Sequence, residues 1–300
     1  MTHKIYCVFG LRVSSDVPLP DFVELPSEDY DAKVSIGVIS RPTGIIVSHG
    51  LRYTCTNDTV LFWVDEVATY SICGGTQITV EPCQGSDMVS VTRFLITTGL
   101  FVLLQQRKML AMKFCAVEKN NGVIAITGAS GVGKSTLITA LSFRGWIPIA
   151  DDFGVLSGNA TVGFQIMSRI STILLWKDIV RIFKERVKVL GELNDSIGKV
   201  HVDIATSAST AMLKGLICLS EAPLKSVQSR RIDAARAYDI MRRDGVIGLY
   251  AEKSMYAHVH KQGLMNLANG IPITHLSRPR ETVSTKALSA LCDAMEQAVQ

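Results

Sequence analysis

Several features are missing from this sequence, and each absence closes off a class of protein. No C-x-x-C pair occurs among the seven cysteines, at 7, 55, 73, 83, 115, 218 and 292. An odd and scattered set of this kind is not a disulfide framework; it suits a reducing cytosol, where cysteines act as small hydrophobes. The start, Met1-Thr2-His3-Lys4-Ile5, lacks the long apolar core of a secretory signal. The most apolar run, Phe94 to Leu104, is interrupted by Thr97, Thr98 and Gly99. It is too short to span a bilayer and reads as a buried helix. No block of like charge stands out: 31 Lys and Arg against 27 Asp and Glu leave a net charge of +4, spread along the chain. That is no footprint for nucleic acid. Neither an internal repeat nor a low-complexity linker is visible. The expectation is a cytoplasmic protein that engages neither nucleic acid nor membrane.

What is present is a chain able to build a large core. Hydrophobic residues make up 47% and charged residues 19% of its 300 positions, a globular balance, and the length favours two structural units. Residues 1–86 read as β-rich. Lys4–Phe9, Lys33–Ile39, Leu51–Thr56, Val60–Val64, Thr69–Cys73 and Gln77–Val80 are short β-branched and aromatic runs, separated by Pro18-Leu19-Pro20, Gly50, Asn57-Asp58 and Gly74-Gly75. Strands so closely spaced predict a small meander or half-barrel. A second region, 87–300, opens with a helix to about residue 107 and then an apolar strand, Met109–Val117. Asn120-Asn121-Gly122 signals a hairpin, which would place Lys113 and Cys115 in the strand beside the next feature.

That feature is Gly128-Ala129-Ser130-Gly131-Val132-Gly133-Lys134-Ser135-Thr136, which matches the phosphate-loop pattern G-x-x-x-x-G-K-[ST]. The glycines let the backbone curl until successive N–H groups face phosphate oxygens. Lys134 reaches the outer phosphates, the Ser135 hydroxyl can ligate Mg²⁺, and the following helix points its positive end at the same anion. The flanks agree: Gly122–Thr127 reads as a buried strand, and Leu137, Ile138 and Leu141 keep helical spacing up to Gly145.

A second apolar strand, Trp146–Ala150, ends in Asp151-Asp152. Phosphate-loop enzymes use a strand that ends in acid to hold Mg²⁺ and to position the nucleophile, and two adjacent carboxylates can divide those tasks. Further on, Leu175–Lys184 reads as a helix that carries a basic cluster, Arg181, Lys184, Arg186 and Lys188. This is either a solvated helix end or a clamp on phosphate or an acidic peptide. His258-x-His260 would set both rings on one face of a strand, without a third ligand to make a metal site. Met212–Leu219 and Ile271–Leu276 read as strands, and Ile232–Met241 and Thr285–Ala298 as helices.

The stretch from Gly128 to Leu137, followed by Arg144-Gly145-Trp146-Ile147-Pro148-Ile149-Ala150-Asp151-Asp152, resembles the HPr kinase/phosphorylase superfamily. Phe9–Asp16 with Leu19-Pro20, Leu175–Asp178 and Leu276–Pro279 are similar to the HPr-kinase-related proteins of bacterial peptide-modification clusters, including kinases of lasso-peptide precursors. The resemblance implies an α/β fold with a phosphate-loop kinase core of the HPr kinase type and a β-rich N-terminal region. It implies ATP and Mg²⁺ as cofactors, and transfer of the γ-phosphate to a serine hydroxyl of a peptide or small protein. By the same resemblance, Ser135 and Asp152 would hold Mg²⁺, Asp151 would be the general base, and the protein could form a homo-oligomer. Lys113 stands where family members commonly carry a histidine; as a candidate catalytic residue it could face the phosphates and neutralise their charge, or it could be an outward strand residue. The glycine-rich second signature of the bifunctional members is not found in this sequence.

Two other readings stay open on sequence grounds. One is a nucleotide-gated regulatory module that transfers no phosphate. The other, a GTPase switch, has Asp151-Asp152-Phe153-Gly154 as a D-x-x-G match but lacks an N-K-x-D motif. An ABC-type ATPase would need the L-S-G-G-Q signature, which is also missing.

Overall fold

The structure is a computed structural model that describes residues 4–40, 44–167, 173–183, 186–192, 198–204, 212–245, 257–280 and 283–299. The chain divides into two compact units, Met1–Met112 with Ile247–Gly263 and Lys113–Val246 with Leu264–Gln300. The boundary therefore falls after Met112 and not at residue 86.

The reason for the shift is helix α1 (Met88–Gln106), which belongs to the first unit. Asp87 caps its start by accepting from the N–H groups of Val89 and Ser90. Thr97-Thr98-Gly99, which interrupts the apolar run, falls within a π-helical turn, Leu95–Gly99. Every residue from Leu100 to Gln106 is buried. The Tyr70 hydroxyl donates to the Val91 carbonyl at 2.9 Å. The Gln106 amide donates to the carbonyls of Asp58 and Ile72 and accepts from the Gly75 N–H. By length and composition α1 could cross a membrane, and half of that span is buried within the protein. The expectation that the run is too short to span a bilayer does not hold for the complete helix. Its ties to Tyr70, Asp58, Ile72 and Gly75 are those of a core helix.

The first unit carries nine strands: β1 (Lys4–Val8), β2 (Leu11–Ser15), β3 (Val23–Leu25), β4 (Ala32–Ile36), β5 (Ile46–Gly50), β6 (Tyr53–Thr56), β7 (Thr59–Val64), β8 (Ala68–Cys73) and β9 (Gln77–Pro82). Their order in the sheet is β3-β1-β2-β4-β9-β8-β7-β6-β5. The expected meander is β5 to β9; β4 joins it in parallel with β9 and with β2. Phe9-Gly10, both in the left-handed region at φ 47° and 83°, closes the β1–β2 hairpin. Strand β10 (Leu110–Met112) ends this unit's first segment.

The second unit is built on a six-stranded sheet. Its strands are β11 (Cys115–Lys119), β12 (Gly122–Thr127), β13 (Ile147–Ala150), β19 (Leu213–Ala222), β20 (Gln228–Arg231) and β21 (Ile273–Pro279), in the order β13-β11-β12-β19-β21-β20. The central strands β12, β19 and β21 run parallel. The expected hairpin forms: Lys119 faces Gly122, and Asn120 and Asn121 make the turn at φ 52° and 59°. Helix α2 (Lys134–Ser142) connects β12 to β13, which lie on opposite sides of β11. Between β13 and β19 in the chain come a hairpin, β14 (Gly154–Asn159) with β15 (Gly163–Met167), and a small sheet in which β16 (Ile173–Trp176) and β17 (Lys188–Glu192) flank β18 (Lys199–Asp203). The remaining helices are α3 (Lys177–Phe183), α4 (Ala234–Asp244), α5 (Ala257–Gly270), of which the part up to Gly263 belongs to the first unit, and α6 (Thr285–Ala298). Leu137, Ile138 and Leu141 of α2 share a core with Leu288, Leu291 and Met295 of α6 and with Ile126 and Ile217 of the sheet.

Three expectations need correction. Lys113 is not in a strand, because the run breaks at Lys113-Phe114 between β10 and β11. Leu175 and Trp176 belong to β16, and the helix starts only at Lys177; Lys184 lies outside the described residues. His258 and His260 are on helix α5, where residues two apart do not share a face. There His260 is buried, with Nε2 2.8 Å from the Ala111 carbonyl.

Candidate functional site

The loop after β12 has the shape its glycines predict. Gly128, Gly131 and Gly133 have φ of 150°, 80° and 101°, values that strain any residue with a Cβ. At Gly128 there is no space for one either: a Cβ would stand 2.2 Å from the Leu219 carbonyl oxygen of the neighbouring strand. Nothing lies within 4 Å of the corresponding point at Gly131, so the loop is tight against the sheet and open above. Gly133 hands the chain to α2, whose first N–H groups carry the positive helix end. The Lys134 ammonium is buried and donates to the carbonyls of Gly128 and Ala129 at 2.8 and 3.1 Å. Arg278, at the end of β21, fixes the rim: its Nε donates to the Val132 carbonyl at 2.9 Å, and its Nη2 pairs with Glu221.

The paired aspartates occupy different environments. The Asp151 carboxyl points inward and accepts three hydrogen bonds. Oδ1 takes the Ser135 hydroxyl at 2.7 Å and the Cys115 thiol at 3.1 Å, and Oδ2 takes the Leu174 N–H at 3.1 Å. Burial raises its pKa above the ordinary carboxylate value; the three donors pull the other way, and the charge of Asp152 adds to the rise. Burial likewise pushes the Cys115 thiol well up, so it stays protonated as a donor. Asp152 is exposed and lines the cleft above the loop. It has φ 65°, and Phe153 N–H donates to the Asp151 carbonyl across it at 2.8 Å. This three-residue turn with positive φ is rare and strained, and such strain collects at functional sites.

The structure thus pairs Ser135 with Asp151, where Asp152 was the expected partner. A serine hydroxyl has one proton and two lone pairs. With the proton given to Asp151, the lone pairs remain for a cation. Hard oxygen donors of this kind, few in number and beside a phosphate cradle, fit Mg²⁺, which keeps waters and substrate phosphates in its shell. Among the described residues no group of three or more His, Cys, Asp or Glu forms a cage for a metal ion.

The cleft has a volume of about 420 Å³ and is lined by Ser130–Thr136 and Asp152 together with parts of β16, α6 and the end of β21. All nine residues from Gly128 to Thr136 form one continuous turn into α2, as expected. Lys113 does not join them: its carbonyl accepts the Thr127 hydroxyl at 3.1 Å and its N–H goes to Gly245, so its backbone braces the base of the loop. Its side chain is not among the cleft residues. Sequence reasoning passed over three participants. Cys115 was placed correctly but given no role, Leu174 acts through its backbone, and Arg278 lay in the Leu276–Pro279 stretch of the resemblance without a role of its own.

No family model and no curated protein matches the chain. Among solved structures, the Hpr(Ser) kinase/phosphatase from Coxiella burnetii aligns with 62% of this chain and 97% of its own length, at 14% identity and a TM-score of 0.30. A likeness of that degree establishes neither the fold nor the activity of this chain.

Proposed function

We propose that the protein is an ATP- and Mg²⁺-dependent kinase that transfers the γ-phosphate to a serine hydroxyl of a peptide or small protein. The observation that carries this reading is the 2.7 Å hydrogen bond from Ser135 to Asp151, with Asp152 exposed in the same cleft. A cradle alone needs only the glycine loop. A carboxylate locked to the loop serine and a second carboxylate open to the cleft supply the other half of a phosphoryl-transfer site.

The parts would work as follows. The loop N–H groups and Lys134 hold the β- and γ-phosphates. Ser135, backed by its hydrogen bond to Asp151, would hold Mg²⁺, which would supply positive charge to offset that of the phosphates. Asp151, enclosed and with both oxygens occupied, is poorly placed to take a proton from an incoming group. Asp152 is free to do so. This reverses the division of roles that the resemblance implies. The acceptor hydroxyl loses its proton to Asp152, its oxygen bonds to the γ-phosphorus, and the bond to the β-phosphate oxygen breaks to release ADP. Arg278, with its guanidinium tied to Val132 and Glu221, keeps the loop in shape.

The test is incubation with Mg²⁺, γ-labelled ATP and serine peptides from neighbouring reading frames, followed by mass spectrometry. The expected result is a gain of one phosphate on serine. Nucleotide binding with a partner-dependent shape change, and no phosphorylated product, would turn the reading into that of a gated regulatory module.

A further inference from the structure

The cleft has two arms, and each is tied to a different end of the phosphate loop. On one side Arg278 bonds the Val132 carbonyl, which brings the end of β21 to the rim of the loop; α6 lines this arm. On the other side the Leu174 N–H bonds Asp151, which in turn holds Ser135. This second link brings β16 to the Ser135 end. In a phosphate loop the lysine and serine face the outer phosphates, so the β16 arm is where an acceptor must approach. The Arg278 and α6 arm remains for the nucleoside.

Two residues of the β16 arm are built for recognition. Trp176 is 44% exposed although it stands in a strand. Lys199 faces it in register on β18, with the ammonium 5.0 Å from the ring centroid. Both line the cleft. Cation–π contact leaves ammonium N–H groups pointing away from the ring. Among the described residues Lys199 makes no ion pair with a carboxylate. Among the described residues the cleft wall is cationic, with Lys134, Lys199, Lys225, Arg278 and Lys286 against one carboxylate, Asp152. Lys134 and Arg278 are engaged with the loop, but Lys199 is not.

We propose that Trp176 and Lys199 form the acceptor subsite, and that it takes an extended peptide whose serine is flanked by an acidic side chain. This rests on the kinase reading above. The indole face receives the stem of the flanking residue, the Lys199 ammonium pairs with its carboxylate, and the serine hydroxyl is left between Asp152 and the γ-phosphate.

The test separates binding from chemistry. The full chain, with Mg²⁺ and a non-hydrolysable ATP analogue, is titrated by calorimetry with three peptides identical except for Glu, Gln or Lys beside the serine. The Glu peptide should bind about fivefold tighter than the Gln peptide, the scale of one solvent-accessible ion pair. Lys199→Glu should reverse the order in favour of the Lys peptide, and Trp176→Ala should weaken all three. Affinity for the nucleotide analogue should stay unchanged in both variants. Loss of nucleotide affinity in either variant would make this arm the nucleoside site and overturn the proposal, as would peptide binding indifferent to residue 199. Selective binding without phosphate transfer from ATP would overturn the kinase reading and leave the subsite standing. Transfer without selectivity would do the opposite.

Discussion

Both units of this protein bury polar side chains and bend the backbone into left-handed turns, but to different ends. In the first unit Ser15, Thr56 and Gln106 each satisfy backbone groups close by, and Phe9-Gly10 and Gly74-Gly75 close hairpins. Each device is used where it stands. In the second unit Thr127, Lys134, Ser135 and Asp151 converge on one loop, whose three glycines have positive φ, and Asp152 turns the strand end beside it. Convergence gathers charge, desolvation and strain in one place, which is unfavourable for stability and useful for chemistry. Substitutions in the two regions should therefore separate stability from activity.

The sharpest separation lies within the aspartate pair. Asp152→Asn should lower turnover by roughly 10²–10⁴, the range of a lost acid–base group, and Asp151→Asn should lower it through the weakened hold on Mg²⁺. They should differ in metal dependence: Asp151→Asn should raise the Mg²⁺ concentration needed for half-maximal activity, and Asp152→Asn should leave it unchanged. Activity measured against Mg²⁺ concentration checks this, and a metal defect confined to Asp152→Asn would restore the roles that the resemblance implies.

Glycines test the comparison next. Gly128→Ala forces a Cβ against a backbone oxygen at 2.2 Å. It should cost about 3 kcal/mol or more and abolish nucleotide binding. In the first unit Gly85 also has positive φ, 80°, but nothing within 4 Å of its Cβ position. Gly85→Ala should cost only about 1 kcal/mol and leave nucleotide affinity intact. Urea unfolding and nucleotide titration of the two variants decide the matter.

Gln106→Leu extends this to side chains. It strands the Ile72 carbonyl and the Gly75 N–H in the interior and removes a bond to the Asp58 carbonyl, at a cost of about 2 kcal/mol. Turnover per folded molecule should not change. A variant as stable as the parent but slower would show that the first unit takes part in catalysis.

Much of the second unit was legible because its signals are local. The glycine loop, the Asn120-Asn121 turn and the acidic strand end each lie within a few residues, and each formed where expected. What remained hidden is long-range. Whether Asp151 or Asp152 meets Ser135 depends on how the chain turns after Ala150, and adjacent residues leave a strand toward opposite sides. Leu174 contributes a backbone N–H, which no side-chain pattern encodes. The boundary at Met112 depends on where α1 packs, and its apolar face reads alike in either unit. Lys113 was misplaced because the apolar run Met109–Val117 conceals a break at Lys113-Phe114. Strands β2, β3 and β5 escaped notice because they mix polar residues with apolar ones, as in Leu-Arg-Val-Ser-Ser and Ile-Val-Ser-His-Gly.

The smallest predicted effect is a pH slope in stability without ligand. Burial raises the pKa of Asp151 above that of an ordinary aspartate. The folded protein therefore keeps this proton to a higher pH than the unfolded chain does. Between the two pKa values the folded state binds more protons, so this group's contribution makes stability fall as pH rises, and level off above the folded value. Asp151→Asn removes the ionisation, so the difference in stability between variant and parent should grow in the variant's favour across that window and then hold constant. Adding Mg²⁺ and nucleotide should narrow the difference, because a cation beside Asp151 favours its charged form. Chemical unfolding at a series of pH values, with and without Mg²⁺ and nucleotide, measures both effects. A difference that is flat with pH would mean that Asp151 keeps an ordinary carboxylate's affinity for its proton despite its burial, and would weaken the case that convergence on this loop carries a stability cost.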